Sequence, residues 1–433
     1  MASSTPAAFF GLGSEQLKNW LAVLCLAMWA LLMFFCATGT VLIRSRHAKK
    51  SSSTTSSPSS PSEHSPLAPI PTPTPGVTII RPLKGIDVNL AENLSSSFRQ
   101  TYPHFEILFT VADPKDPAVA VVHDLIKTYP NVDARLLTDP IEVGVNPKIN
   151  NMIRAYQTAK YDIIWIIDSN VSVPPGCLSR SVVEISRPGI GLVHHLPCGV
   201  SPQTFGSRLE QAFLNTAHAK MYATINKLSV ASCIIGKSNM FRKSSLAHLG
   251  GLEYFGKFMS EDNIIGEAIW ATGKRHAMTT DLASQSLGSL SVADYLGRRA
   301  RWIRIRKYVT TAATLVEPFT ESIVNGLLGS WGAYRLFAVP PHLFLPLHFA
   351  LWILSDVLIS TTLDCSVLRD PVKFIAAWCV REVLALPLWC YAMAGRTVAW
   401  RGKWYWLRSD GTVTVAGGWG GGFGEWVGRL VGR

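Results

Sequence analysis

The chain of 433 residues is 48% hydrophobic and carries a formal net charge of +12. Its length allows one sizeable catalytic core with additions, and its basic excess suits an anionic partner such as a phosphate-bearing ligand, a nucleic acid or an anionic membrane leaflet. The eight cysteines contain no CxxC pair, so the sequence supports neither a redox motif nor a cysteine zinc site.

The N-terminal region contains a membrane-length segment. The apolar run from Trp20 to Ile43 has no charge, and about 20 helical residues cross a bilayer. The basic stretch "RSRHAKK" follows at once, so the positive-inside rule predicts a transmembrane helix over 20–43 with residues 1–19 in the lumen. A cleaved signal peptide is the alternative, but its apolar region is shorter and its positive flank comes first. Residues 44–76, basic and then Ser/Pro-rich, are predicted to form a disordered linker.

Alternating apolar runs and helical patterns then indicate a folded domain over 77–290. The runs are "VTIIRPLKG", "FEILFTVAD", "YDIIWIIDSN" and "GIGLVHHLP". Short apolar runs that alternate with helical segments predict βαβ units, and so an α/β fold with a mostly parallel, buried sheet. Asp113 and Asp168 each follow such a run, at the strand ends where ligands bind in sheets of this kind.

Two acidic positions have both a functional and a structural interpretation. Asp168 follows a nearly all-apolar strand, and a carboxylate buried there needs a cation, for which a divalent metal ion is one solution; it could equally cap the next helix or turn. Asp262 and Glu261 lie in the first turn of a predicted helix that Ser260 could cap. That arrangement is typical of any good helix start, so Asp262 alone does not indicate chemistry.

The stretch "GRRARWIRIRK", from Gly297, contains the motif RxxRW. Arg298 and Arg301 are three residues apart on one helical face, where two guanidinium groups can meet one anionic group. The remaining basic residues alternate with isoleucines, which predicts an interfacial helix over 291–318 that lies on anionic headgroups; they are Arg299, Arg304, Arg306 and Lys307. A nuclear localisation signal would use the same residues but contradicts the transmembrane run.

Beyond this helix, residues 319–395 contain apolar stretches for two to three membrane segments. The stretches are Phe319–Val339, Pro340–Leu363 and Phe374–Ala394. The last two are better candidates for spans, because the first carries Glu321 and Arg335. Residues 396–433 form a basic and glycine-rich tail whose basic part prefers the cytosol.

The order of these features is more specific than any one of them. Asp113, Asp168, Glu261-Asp262 and then RxxRW resemble the inverting GT-A glycosyltransferases that include cellulose, chitin and hyaluronan synthases and ceramide glucosyltransferases. Within that set the chain, from Val77 to Arg401, is most similar to the ceramide glucosyltransferases, in the blocks "RPLKGID", "YPNVDARL", "GVNPKINN", "KYDIIWIIDS", "GLVHHLP" and "EDNIIGEAI". The long Ser/Pro-rich linker indicates a fungal member.

The resemblance implies a Rossmann-like GT-A domain that faces the cytosol from a Golgi or endoplasmic reticulum membrane. It implies UDP-glucose as donor and ceramide as acceptor, with inversion to β-glucosylceramide and UDP. Nucleic acid is not an expected partner, and the oligomeric state is not readable. The few-charged segment Ser207–Ile235 is expected to shape an acceptor groove near the headgroups.

The resemblance also implies roles for single residues. Arg81, Pro82 and Lys84 would line the uridine, and Asp113 would accept hydrogen bonds from uracil or ribose. Lys148 could contact the donor, although its loop could equally be structural. His194 could touch the diphosphate or the acceptor, and a structural histidine is an equal alternative.

At the reacting centre, Asp168 would hold Mg²⁺ or Mn²⁺ against the diphosphate. Asn170, at the third position of the DxD pattern of many GT-A enzymes, brings no charge, so the ion would be held mainly by the diphosphate. Arg298 and Arg301 would lie under the diphosphate, and Trp302 would present a flat wall to the sugar or acceptor. Asp262 is the expected general base, with Glu261 as a weaker candidate.

Three other readings stay open from the sequence. A processive polysaccharide synthase would share the aspartates and RxxRW, but it usually carries more membrane spans around a channel. A non-catalytic membrane scaffold could retain a GT-A domain, although loss of function usually removes the acidic residues. A lipid sugar transferase that uses dolichol phosphate is disfavoured by the ceramide-type blocks.

Overall fold

The computed structural model describes residues 14–51, 73–400 and 402–416. Most of the predicted lumenal segment, the Ser/Pro-rich part of the linker and the glycine-rich end of the tail lie outside the described residues. The described residues form an α/β domain, a group of long apolar helices and a small C-terminal sheet.

The helices and strands follow one another in the alternation that the sequence predicts. The strands are β1 Val77–Leu83, β2 Phe105–Val111, β3 Ala134–Leu137, β4 Ile163–Ile167, β5 Val171–Ser172, β6 Ile190–Pro202, β7 Ser238–Arg242, β8 Arg275–Gly288, β9 Thr397–Trp400, β10 Lys403–Leu407 and β11 Val413–Val415. The helices are α1 Ser14–Ser51, α2 Leu90–Phe98, α3 Ala118–Thr128, α4 Pro147–Thr158, α5 Cys177–Ile185, α6 Phe205–Phe213, α7 Ala219–Leu228, α8 Glu261–Ala271, α9 Val292–Val309, α10 Thr311–Val316, α11 Ser322–Phe337, α12 Pro341–Leu363 and α13 Pro371–Ala394.

Eight strands form one sheet in the order β3-β2-β1-β4-β7-β6-β8-β5. β1 pairs in parallel with β2 and β4, β2 pairs in parallel with β3, and β6 pairs in parallel with β8. β7 is antiparallel to both of its neighbours, and β5 is antiparallel to β8. The topology confirms the predicted α/β class with a mostly parallel sheet.

The apolar runs form strands because helices cover both faces of the sheet. Neighbouring residues in a strand point to opposite faces. In β1, Ile79 enters the core formed with α2, α3 and α5, whereas Ile80 enters the core formed with α4 and α8. Burial on both sides explains why these runs are continuously hydrophobic rather than alternating.

In the part of the chain that the structure describes, three helices are long and apolar enough to cross a membrane: α1, α12 and α13. α1 is longer than the predicted 20–43, because residues 44–51 continue the helix instead of opening a linker. His47 of this continuation is buried, and so is Ile43, the last residue of the predicted span, which packs with Leu196 of β6. The helix thus passes from its apolar segment directly into the α/β domain.

The basic residues of the predicted interfacial helix over 291–318 contact protein groups in the structure. α9 packs between α6 and α13. Arg299 and Arg306 lie 3.2 and 3.3 Å from the carboxylate of Glu317. Arg304 and Lys307 donate hydrogen bonds to backbone carbonyls near the end of α13. These contacts satisfy the charges inside the protein.

The beginning of the C-terminal tail is ordered. β9, β10 and β11 form an antiparallel sheet, which packs on Met259 and on Ile305 of α9 through Val398, Tyr405, Leu407 and Val413. Thr412 also makes an antiparallel bridge to Phe258. The tail therefore supports the loop that leads into Glu261 and Asp262.

Candidate active site

The site forms where β4 ends. Asp168 follows β4 directly, and its side chain is 20% exposed. Its two carboxylate oxygens each accept an ammonium group: Lys148 Nζ lies 2.9 Å from Oδ1 and Lys237 Nζ lies 2.9 Å from Oδ2. Although burial opposes ionisation, the two lysines outweigh it and hold the pKa of Asp168 well below its usual range. Asp168 is therefore an anion held between two cations.

Lys148 contacts both Asp168 at the end of β4 and Glu261 at the start of α8. It belongs to the first turn of α4, and its Nζ also lies 3.1 Å from Glu261 Oε1. Asn146, the N-cap of α4, accepts from the backbone N–H of Lys148 and donates to Glu261 Oε2 at 2.9 Å. Burial alone would lower the pKa of Lys148, but the carboxylates around it raise that pKa. The lysine stays charged at neutral pH.

Asp262 is the second carboxylate of α8 and has a different environment. Burial and the neighbouring Glu261 raise the pKa of Asp262 to about 6, although the positive charge of Lys148 opposes them. A carboxyl group with a pKa near the working pH is well suited to accept a proton during a reaction. The predicted helix start at Glu261 is confirmed, but the Ser260 hydroxyl makes no capping bond.

Gly236 sets the position of the Asp262 carboxylate. A Cβ atom added at Gly236 would lie 2.9 Å from Oδ2, 3.1 Å from Cγ and 3.2 Å from Cβ of Asp262. We expect Gly236→Ala to lower kcat by up to about 100-fold, because displacement of a catalytic group by about 1 Å has effects of that size. The measurement is steady-state transfer by the purified variant.

Gly297→Ala is the matched control for this substitution. No atom lies within 4 Å of a Cβ at Gly297, so we expect an unchanged kcat. A Gly236→Ala variant with the native kcat would show that Asp262 need not keep its position.

RxxRW lies on α9, beside this cluster. Arg298 Nε lies 3.1 Å from Glu210 Oε1 of α6, and the Arg298 guanidinium is 4.8 Å from the centre of the Trp302 ring. Burial is the main cause that lowers the pKa of Lys237, and the positive charge of Arg298 contributes. Arg298 of the motif is therefore close enough to Lys237 for their charges to interact, and Lys237 in turn contacts Asp168.

Arg301 differs from the other arginines of α9. Burial and the positive charge of Arg298 lower the pKa of Arg301 to about 10, against the attraction of Glu210. Among residues 14–51, 73–400 and 402–416, no ion pair or hydrogen bond to its side chain is found. A desolvated guanidinium beside a second one attracts an anionic ligand.

The residues expected at the nucleotide have two kinds of position. Arg81 is fully buried and donates to the carbonyls of Val171 at 3.0 Å and Ser169 at 3.4 Å. Pro82 is buried as well. Both side chains thus lie within the sheet, and the contact of Arg81 and Pro82 with the uridine stays a prediction. Arg81 supports the turn that carries Asp168.

Lys84 and Asp113 are exposed and follow the neighbouring strands β1 and β2. The Asp113 side chain accepts a hydrogen bond from Lys115 N at 2.9 Å. In the same loop, Asp116 accepts from Gly85 N with both oxygens, at 3.0 and 2.8 Å. The turns that carry Lys84 and Asp113 are thus tied together at the same sheet edge as Asp168, although Asp113 does not contact the Asp168 cluster.

His194 has a structural position. It is completely buried, and its Nδ1 is hydrogen-bonded to the Tyr222 hydroxyl of α7 at 2.6 Å. Burial lowers the pKa of His194 well below its usual value, so the ring is neutral. The alternative of a structural histidine is supported, and direct contact with the diphosphate is not.

The side chains at Asp168 do not form a metal site by themselves. Within the described part of the chain, no group of three or more His, Cys, Asp or Glu residues is arranged to hold an ion. Both Asp168 oxygens already bind lysines, so an incoming ion competes with these ammonium groups and takes its other ligands from elsewhere. The arrangement fits an ion that arrives with the diphosphate, which brings oxygen ligands of its own.

Sequence reasoning missed three residues of this site. Lys237 precedes β7, and only the pairing of β7 with β4 brings it to Asp168. Asp87 accepts a hydrogen bond from Ser169 Oγ; it lies in the "RPLKGID" block, which was the available signal. Glu210, fully buried on α6, has no local signal, because its partner Arg298 is distant in sequence.

The chain was compared with known proteins. Residues 31–413 match the model of the family described as glycosyl transferase family 21. A ceramide glucosyltransferase from Komagataella phaffii is 36% identical over 79% of this chain and 84% of its own length. Ceramide glucosyltransferase from Candida albicans is 31% identical over 78% of this chain and 87% of its own length. Ceramide glucosyltransferase 1 from Caenorhabditis elegans is 33% identical over 82% of this chain and 76% of its own length.

Among solved structures, the mannosyltransferase PcManGT from Pyrobaculum calidifontis, in complex with GDP-Man and Mn²⁺, is 16% identical. The match covers 84% of this chain and 99% of that chain, with a TM-score of 0.48. The Staphylococcus aureus protein TarS 1-349, in complex with UDP-GlcNAc, is 14% identical. This match covers 79% of this chain and 99% of that chain, with a TM-score of 0.34.

Proposed function

The chain belongs to glycosyl transferase family 21, and on that basis we propose that it transfers glucose from UDP-glucose to the primary hydroxyl of ceramide, giving β-glucosylceramide and UDP. Relatives that carry the name ceramide glucosyltransferase over most of the chain support this reading over a polysaccharide synthase or a scaffold. The observation that carries the proposal is the cluster of Asp168, Lys148, Asp262 and the RxxRW arginines at one edge of the sheet.

In the proposed mechanism, Asp262 acts as the general base. Its carboxylate accepts the proton of the ceramide hydroxyl while that oxygen attacks the anomeric carbon of glucose. The bond from the anomeric carbon to the UDP oxygen breaks in the same displacement, so an α-linked donor yields a β-linked product. A pKa of about 6 leaves Asp262 mostly ionised at neutral pH and still able to hold a proton.

The leaving diphosphate needs positive charge. Arg301 forms no ion pair among the described residues, and Arg298 and Lys237 lie close enough to each other for their charges to interact. In the proposal these groups stabilise the charge that develops on UDP. Lys84 and Asp113 form the outer part of the donor site, near the uridine.

Ceramide has to reach Asp262 from a membrane. Removing its acyl chains into water would cost about 0.8 kcal/mol per CH₂ group. α7 lies near both Asp262 and the membrane-length helix α1. Burial raises the pKa of Tyr222 on α7, and the charge of Asp262 contributes to that rise. α7 also contacts α1 closely, because a Cβ at Gly39 of α1 would lie 2.7 Å from the Lys220 carbonyl oxygen. Most of α6 and all of α7 lie within Ser207–Ile235, so we propose that this segment forms the wall of the acceptor groove.

We also propose that the α/β domain faces the cytosol from a Golgi or endoplasmic reticulum membrane. A divalent ion, Mg²⁺ or Mn²⁺, would be held by Asp168 together with the diphosphate and would add positive charge at the leaving group. All other steps use the side chains named above.

This metal proposal has a direct binding test. We expect electron paramagnetic resonance titration to detect little Mn²⁺ binding to the protein alone and much tighter binding when UDP is present, because the lysines occupy the Asp168 oxygens. Asp168→Asn should abolish the UDP-dependent binding. Equal Mn²⁺ affinity with and without UDP would contradict the proposal.

The activity is tested with the purified full-length protein in lipid nanodiscs that contain ceramide. Radiolabelled UDP-glucose should yield a chloroform-soluble monoglucosylated lipid that a β-glucosidase cleaves, and UDP-GlcNAc should yield little product. An alcohol-insoluble polymer would support a polysaccharide synthase, and an α-linked lipid would contradict inversion.

A further inference from the structure

α13 starts on the α/β domain and ends on it. Oδ2 of its N-cap residue, Asp370, lies 3.5 Å from Arg208 Nη2 of α6. Phe374 and Ala377 pack in the same apolar cluster as Leu209 of α6. The beginning of the helix is therefore held by the domain that carries the active site.

The far end of α13 is held by the same body. Trp389 Nε1 donates to the Thr314 carbonyl of α10 at 2.8 Å, and Lys307 Nζ of α9 donates to the Met393 carbonyl at 2.6 Å. Ala392 packs with Ile303 of α9. A 24-residue helix is about 36 Å long. If it crossed a bilayer, whose apolar core is about 30 Å thick, its two ends would lie on opposite sides of the membrane. Both ends instead lie on the catalytic side.

The two faces of α13 have opposite character. Val372 and Val383 are 77% and 62% exposed, and Val380 and Leu386 are exposed on the same side. By contrast, Arg381 and Glu382 are buried. Arg381 Nη1 lies 3.0 Å from Glu321 Oε2, and Glu382 Oε2 accepts from Ser322 N at 3.1 Å. The charged face thus turns to the protein, and the apolar face needs a nonpolar environment.

α11 runs along α1 in the opposite direction. A Cβ at Gly329 would contact the Trp29 ring at 2.5 Å, and a Cβ at Gly332 would lie 2.8 Å from the Ala22 carbonyl oxygen. Arg335, near the end of α11, pairs with Glu15 at the start of α1. α11 therefore leads from the catalytic side to the N-terminal end of α1.

α12 returns in the direction of α1. Trp29 Nε1 donates to His348 Nδ1 at 3.0 Å, and Thr40 Oγ1 lies 2.7 Å from Ser355 Oγ. Ile359 then packs with Ile43, where α1 enters the α/β domain. α11 and α12 thus form a hairpin beside α1 with its tip at residues 338–340, on the side opposite the catalytic domain.

We propose that α13 lies in the plane of the membrane surface with its apolar face in the bilayer, and that α11 makes the crossing that hydropathy assigns to α13. The chain then crosses three times, through α1, α11 and α12. Both the catalytic domain and the C-terminal sheet are on one side, which suits the basic character of the tail. This inference does not depend on the identity of donor or acceptor.

Topology is tested in sealed vesicles with the catalytic domain outside, using a membrane-impermeant maleimide and full-length variants that lack Cys379 and Cys390. Lys115→Cys is the reference for the catalytic side. We expect Arg369→Cys and Ser409→Cys to react in intact vesicles as Lys115→Cys does, and His342→Cys to react only after detergent is added.

Each alternative predicts a different pattern. If α13 crosses and α11 does not, Arg369→Cys is protected and His342→Cys reacts in intact vesicles. If all four helices cross, Ser409→Cys is protected. Either pattern overturns the proposal.

The lipid contact of α13 is tested separately by fluorescence. Bimane attached at Val372→Cys and at Val383→Cys should be quenched by brominated lipids, whereas bimane at Lys115→Cys should not. Absence of quenching at both α13 positions would show that another protein surface covers this face, and would also overturn the proposal.

Discussion

We expect Asp262→Asn to lower kcat by about 10²–10⁴-fold, the range that loss of a general base produces. The amide has nearly the same shape as the carboxylate but cannot accept the proton of the acceptor hydroxyl at neutral pH. UDP binding should be little changed, because Lys148 still contacts Asp168 and Glu261. Radiometric transfer to ceramide and calorimetric UDP binding measure the two properties.

The same prediction includes the pH profile. A general base works only when deprotonated, and the pKa of Asp262 is about 6. We therefore expect kcat/KM to fall about tenfold per pH unit as the pH decreases below about 6. The Asn variant should lose this acidic limb.

Glu267→Gln is the control for this substitution. Glu267 lies on the same helix and is exposed, so its neutralisation should leave kcat unchanged. Glu261→Gln tests Glu261 as the alternative general base. The same substitution also removes the negative charge that contacts Lys148 and Asn146. An Asp262→Asn variant with native kcat and a Glu261→Gln variant without activity would transfer the role to Glu261.

We expect Arg301→Ala to lower kcat by about 10²–10³-fold, as the loss of one group that stabilises developing negative charge does elsewhere. Arg301 forms no ion pair within the described part of the chain, and Glu210, whose charge attracts it, still contacts Arg298 at 3.1 Å, so the removal of Arg301 leaves no buried acid unpaired. The fold should therefore tolerate the change, which circular dichroism and thermal unfolding check.

Arg301→Lys distinguishes charge from geometry. A lysine keeps the positive charge but loses the planar fork that binds two oxygens at once, so activity between those of the wild type and Arg301→Ala is expected. Arg408→Ala, an exposed arginine of the C-terminal sheet, is the control for the loss of a positive charge. If Arg301→Ala kept the native kcat, Arg301 would have no part in leaving-group stabilisation.

Local patterns were sufficient for much of the α/β domain. The apolar runs at Val77, Phe105 and Tyr161 predict β1, β2 and β4, because burial on both faces leaves a continuous hydrophobic signature. The start of α8 at Glu261 was also predicted. The short strand β3 and the antiparallel β7 were not identified, because neither has a periodicity that separates it from its surroundings.

Hydropathy identified the long apolar segments but not their arrangement. Phe374–Ala394 has the length and composition of a span, as α13 has, but both ends of α13 contact α6 and α9. The same limitation applies to the basic residues of α9. Their charge suggested lipid headgroups, and Glu317 and two backbone carbonyls are their partners.

The sequence by itself determined the properties that depend on neighbouring residues: the strands β1, β2 and β4, the start of α8, the membrane-length segments, and the spacing of Arg298 and Arg301 on one helical face. Only the tertiary structure decided which charges meet. Lys148 and Lys237 come from different elements to the two oxygens of Asp168, and Arg81 is buried beneath the same turn. The pKa of a group and its access to a ligand depend on such contacts through space, which sequence distance does not encode.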